Sequence, residues 1–109
     1  MPRLLNQFEL KPAVNLDAFE QAWNAFVGHL VATGLATNGT PLCKRIPASG
    51  YDTDEQRDHS LMAVIEFRDQ MQADAAWAAI EDRIEPLGEL HRSVISMVHD
   101  PVFTFWSEL

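Results

Sequence analysis

The stretch that most constrains this chain is residues 60–84, where the apolar run SLMAVIEF passes through Arg68 into DQMQADAAWAAI and one residue period gives way to another. In the first run Leu61, Ala63, Ile65 and Phe67 fall on one side and Met62, Val64, Glu66 and Arg68 on the other, the period of two expected of a strand. In the second, Ala73, Ala76, Trp77, Ile80 and Ile84 recur at steps of three and four and form one helical stripe. Asp69, with Gln72 three residues on, is placed to cap that helix. The stripe is mostly small residues around one indole, which lets the helix lie close on a sheet. Both sides of the strand start apolar, whereas an antiparallel strand with one wet face alternates more cleanly, so both faces of the sheet should be covered.

The remaining segments supply partners for this unit. Residues 3–10 alternate imperfectly, with Leu4, Asn6, Phe8 and Leu10 on one face, and Pro12 ends the strand because it lacks an N–H. Asn15 and Asp17 are both cap residues, and Asp17 with Glu20 makes a capping-box start. Leu16, Phe19, Trp23, Phe26, Val27 and Leu30 then form a helical stripe, and Gly34 is the natural stop. Asn38-Gly39 signals a surface turn, and a short strand over 42–46 lies between Pro41 and Pro47, where Lys44 and Arg45 protect a sheet edge. Residues 48–58 are polar and acidic around a single Tyr51 and form an exposed, mobile loop. Pro86 opens a short reoriented helical piece, PLGELHR, followed by a strand over 94–98. His99-Asp100 with Pro101 marks the turn out of it. The tail beyond has Phe103 and Phe105 on one side and Val102, Thr104 and Trp106 on the other if extended.

The order strand, helix, strand, strand, helix, strand is α+β and ferredoxin-like: a four-stranded antiparallel sheet with two helices on one face, in a single domain over 1–109. The second apolar face of the sheet and the aromatic tail call for a second copy of the chain, giving a C2 homodimer whose sheets meet face to face.

Sixteen acidic residues against eight Lys and Arg give a formal charge of −8, which opposes a phosphate backbone and excludes nucleic acid as a partner. No run approaches the ~20 apolar residues of a membrane span, so no membrane partner is expected. The opening MPRLLNQFEL is interrupted by Asn6, Gln7 and Glu9 and lacks a secretory pattern, which gives a cytoplasmic expectation. Cys43 is alone and offers neither a disulfide nor a zinc set. Asp52, Asp54 and Asp58 partly fit a calcium loop, but Arg57 takes the glycine position and Ala63 that of the closing glutamate. No metal or other cofactor is therefore expected.

The element order resembles the dimeric α/β-barrel superfamily, which includes antibiotic-biosynthesis monooxygenases, haem-degrading monooxygenases and stress-responsive α/β-barrel proteins. The string Phe8-Glu9-Leu10-Lys11-Pro12 is similar to the strand-one ending of the stress-responsive group, and MPRLLNQFELKP with HDPVFTFW resembles a small uncharacterised bacterial family. The resemblance implies a homodimer and a pocket for a small, often aromatic, ligand between sheet and helices. Haem-degrading members pair a strand-one Asn with a Trp and a His on the second helix. Asn6 and Trp77 occupy such places, but Leu87 stands where that His is expected. Plant cyclases of the stress-responsive type use a His where this chain has Leu4, while His91 lies near a family Tyr.

The candidate site follows from these positions. Asn6, Trp23, Tyr51 and Trp77 are the ligand-binding candidates, Tyr51 as the tip of a lid, with Phe8 and Phe26 as further lining residues. His91 and His59 are the candidate acid–base groups, since imidazole titrates near neutrality. The aromatic residues at helical spacing are more simply accounted for as core, and each His as a surface or hydrogen-bonded group. Three readings follow: a homodimeric binder of a small apolar or aromatic molecule, a cofactor-independent monooxygenase or cyclase acting on an aromatic or polyketide-like compound, and a structural dimerisation module with a filled interior.

Overall fold

A computed structural model describes all residues, 1–109. Two long strands, β1 (Arg3–Leu10) and β4 (Leu61–Glu66), pair antiparallel at the centre of the sheet, with Asn6 opposite Ala63. On one side of this pair, β4 also carries the two short strands β2 (Asn38–Gly39) and β3 (Cys43–Lys44); on the other, β1 pairs with β5 (Val98–Trp106). Helices α1 (Leu16–Ala32), α2 (Gln70–Glu81) and α3 (Leu87–Ile95) complete an α+β, ferredoxin-like chain. The expected second strand over 42–46 is thus reduced to β3, β2 is an additional strand ahead of it, and the expected short helical piece is a full third helix.

Local signals set most of these boundaries. Asn15 caps α1 by accepting from the Ala18 N–H, so the helix starts at Leu16, just ahead of the Asp17 capping-box position. At its end Gly34 has φ +76, and the Gly34 and Leu35 N–H groups reach back to the carbonyls of Val31 and Leu30, a Schellman closure that also returns Leu35 to the core. Asp69 caps α2 through the Gln72 N–H, as its spacing implied. That helix stops at Glu81, short of Ile84, because Arg83 takes a left-handed φ of +53. Asn38-Gly39 pairs with β4 instead of forming a free turn, and Gly39 permits the close approach: a Cβ there would lie 2.5 Å from Val27 Cγ1 of α1.

The last strand departs most from its expected place. Residues 94 and 95 finish α3, and β5 begins at Val98 and runs on through Pro101 to Trp106. A bulge lies within it, since Glu9 faces His99 while Gln7 faces Val102, and Asp100 sits there at φ +51. Proline is tolerated because β5 is the sheet edge. His99 accordingly lies inside the strand and does not mark its exit.

The helices cover one face of the sheet. Phe8, Leu61, Ala63, Ile65 and Phe67 meet Phe19, Trp23, Phe26, Val27 and Leu30 of α1, Ala73 and Ala76 of α2, and Leu87 and Val94 of α3 in one core. Leu16, read as part of the α1 stripe, is exposed. Gln72 is buried among these elements: its Oε1 accepts from the Arg68 N–H at 2.7 Å and the Thr37 hydroxyl at 3.1 Å, and its Nε2 donates to the Gly34 carbonyl at 2.9 Å. On the other face Leu5, Gln7, Met62, Val64 and Val102 stay half-buried and Thr104 and Trp106 exposed, with no helix over them.

Candidate functional site

The core does not fill the space between sheet and helices. A cavity of about 310 Å³ remains, walled by fourteen residues of which eleven are hydrophobic. β1 contributes Leu4, Asn6 and Phe8, α1 contributes Trp23, Phe26 and Leu30, and Ile65 comes from β4. From the other side come Trp77, Ile80 and Glu81 of α2, His91, Val94 and Ile95 of α3, and Phe103 of β5. The strand period places alternate β1 residues inward, and the α1 stripe faces them, so Asn6 and Trp23 meet across the space although seventeen positions separate them.

The aromatic walls are mutually braced. Phe8 meets Trp23 edge-on at 5.2 Å and Phe103 at 6.2 Å between ring centroids, and Trp77 packs on Phe67 at 5.4 Å and Phe105 at 6.1 Å. Such edge contacts fix ring orientation and keep the cavity from collapsing.

Four polar groups break the apolar lining. Asn6 is 2% exposed, and its Nδ2 donates to the carbonyls of Leu4 and Ala63, both at 3.1 Å. Trp23, also 2% exposed, has an indole N–H with no acceptor in the chain. His91 stands half-buried at the wall, its ring 5.7 Å from that of Phe26. Burial, and secondarily the charge of Arg92, push its pKa below the ordinary imidazole value, so the ring is neutral at neutral pH and able to accept a proton. Glu81 is exposed and adds a carboxylate to the wall.

The structure thus brings Asn6, Trp23, Trp77 and His91 together and puts Tyr51 and His59 elsewhere. Those two line a separate, more polar groove of about 650 Å³ with Gln7, Arg45, Asp52 and Met62. Tyr51 is 94% exposed and does not cover the aromatic cavity. His59 is buried, with Nε2 2.7 Å from the Asp100 carbonyl oxygen. A carbonyl only accepts, so Nε2 donates this bond, and Nδ1 has no partner in the chain. This contact ties the start of β4 to the β5 bulge. Arg45, expected to guard an edge, instead organises the acidic loop: it grips both oxygens of the Asp52 carboxylate, holding that carboxyl below the usual range, and donates to the carbonyls of Arg57 and, at 2.8 Å, Asp54. Phe103 and Glu81 are wall residues that the sequence did not single out. The Phe103/Phe105 alternation was the one available signal for the former.

Several solved structures share the fold. An Arabidopsis thaliana protein, At3g17210, matches with a TM-score of 0.78 at 6% identity, over 100% of this chain and 96% of that one. A dimeric ferredoxin-like protein of unknown function from Thermobifida fusca matches at 0.65 and 14% identity, covering 98% and 90% of the two chains. A dimeric protein of unknown function with a ferredoxin-like fold, from Bacteroides fragilis, matches at 0.62 and 8% identity, covering 98% and 95%. At these identities the likeness is one of fold. No curated protein matches the chain. A family model does match, over residues 1–108, and the chain belongs to that family of unknown function, DUF6614.

Proposed function

We propose that the protein is a homodimer of single 1–109 domains, of the dimeric α/β-barrel type, that binds a small apolar or aromatic molecule between sheet and helices without a tightly bound cofactor. The observation that carries this reading is the cavity of about 310 Å³ with its largely hydrophobic wall, within the size range of small-molecule pockets. Asn6, Trp23 and Trp77 are its proposed contacts. The open sheet face of Leu5, Met62, Val64, Val102 and Trp106 supports the homodimer, as does the description of two structural neighbours as dimeric. A purely structural module is the weaker reading, since it called for a filled interior.

One observation favours an enzyme as the second reading. His91 is neutral and half-buried at the cavity wall, suited to removing a proton in a cofactor-independent monooxygenase or cyclase reaction. His59 has no place in that reaction, its N–H being bonded to backbone away from the cavity.

A thermal-shift series with one- and two-ring aromatic compounds tests the binding reading. A ligand at a hundred times its Kd adds ~2.7 kcal/mol to the stability of the folded state, and a flat series would overturn the reading. Sedimentation tests the dimer: the wild-type chain is expected to be dimeric at micromolar concentration and Val64→Arg monomeric. A wild-type monomer would refute the interface.

A further inference from the structure

The polar atoms of the cavity specify more than an apolar guest, and this inference rests on the binding reading above. Asn6 has two amide protons, and the two backbone carbonyls of Leu4 and Ala63 take both. Those bonds fix the amide orientation, because a flipped side chain would set oxygen against two carbonyl oxygens. The open valence of Asn6 is therefore Oδ1, an acceptor on a residue that is 2% exposed and forms part of the cavity wall. Oδ1 has no donor in the chain and, unlike the Trp23 Nε1 atom, is not sealed from contact, so a guest that donates to it gains a hydrogen bond in an apolar setting.

The charge of the guest is limited by the same wall. The imidazole of His91 is neutral, Glu81 is an anion, and no Lys or Arg is among the fourteen wall residues, so nothing there pairs with an anionic guest. A cation would have to sit in an apolar space at heavy desolvation cost, whereas an uncharged donor needs no counter-charge. Size gives the last limit. An apolar cavity of ~150 Å³ accepts benzene, and the present one, at about 310 Å³, is roughly twice as large. We infer that the cavity takes an uncharged two-ring aromatic molecule bearing a hydroxyl, which donates its hydrogen bond to Asn6 Oδ1 while the rings pack among Phe8, Trp77 and Phe103.

A series of three shape-matched probes tests this by calorimetry on the full chain. 1-Naphthol offers a donor and an acceptor, 1-methoxynaphthalene an acceptor only, and 1-methylnaphthalene neither. The expected result is that naphthol binds at least ten-fold more tightly than both others, a difference of ~1.4 kcal/mol. In Asn6→Leu that advantage should fall to within about two-fold while methylnaphthalene affinity is kept, as expected if a single hydrogen bond is lost. If that variant does not fold, the probe ranking in the wild-type chain still decides the hydroxyl requirement, and Asn6→Asp, which keeps Oδ1, tests the assignment by keeping the naphthol preference. Equal affinity for naphthol and methoxynaphthalene, with methylnaphthalene weaker, would transfer the polar contact to the Trp23 N–H and overturn the Asn6 assignment. Equal affinity for all three would overturn the hydroxyl requirement and leave apolar binding standing. No binding of any probe would overturn both.

Discussion

Replacing Gln72 with Met should cost about 2 kcal/mol, and the figure follows from what its amide joins. Its oxygen accepts from the Arg68 N–H and the Thr37 hydroxyl, and its nitrogen donates to the Gly34 carbonyl. One buried side chain thus ties the end of α1, the approach to β2 and the β4–α2 turn. Met keeps the length and loses all three bonds. A hydrogen bond contributes ~1 kcal/mol net, but Thr37 is exposed and its hydroxyl can turn to water, so that bond counts for little. The Arg68 and Gly34 bonds remain, for a loss of ~2 kcal/mol. In a chain of this size each kcal/mol moves Tm by ~4 °C, so the midpoint should fall by ~8 °C. Urea unfolding followed by circular dichroism is the direct assay, with a lower midpoint concentration at unchanged slope. A loss below ~0.5 kcal/mol, the scale of an ordinary surface change, would refute the bonding role assigned to Gln72.

Two further outcomes follow from charged groups. His91 has a folded pKa below the ordinary 6.5, so the folded state binds fewer protons than the unfolded one in the window between the two values. Stability should therefore be full above pH 6.5 and decline as pH falls toward the lower folded value; His91→Gln should remove that slope, and a variant with the same slope would put its origin elsewhere. Arg45→Gln should release residues 46–58, read as faster amide exchange there with β4 unaffected, and unchanged exchange would show that other contacts hold the loop.

The parts of the fold that were legible in the sequence are those where periodicity and end signals agree. β1, α1 and β4 each carry six or more residues in phase and a cap, a proline or a charge pair at the end. The 94–98 segment misled because Val94, Ile95 and Val98 have strand propensity, yet burial of Leu87 and Val94 against the core keeps 94 and 95 helical. Asp100-Pro101 resembled a stop, but an edge strand has an unpaired side on which proline is harmless. Most of the cavity could be read because inward strand residues and the two helical stripes have to converge. Phe103 could not be placed without knowing where β5 starts, and the Arg45 network joins residues with no periodic relation at all.

The bulge at Asp100 decides which aromatic residues belong to which surface. Between the pairs Gln7–Val102 and Glu9–His99 lie one residue of β1 and two of β5, and that odd residue reverses the in–out parity of everything after it. Phe103 and Phe105 face the helices only because of it: an unbroken alternation from Val98 would turn them to the open sheet face, whereas deleting the one extra residue would restore regular pairing and keep Phe103 opposite Asn6. The bulge thus absorbs an added residue that would otherwise act as a frameshift in side-chain direction. In homologues, the spacing between β5's first pairing with β1 and its aromatic run, read together with whether the bulge is present, should thus predict the wall of the cavity more reliably than the identities of the residues in that run.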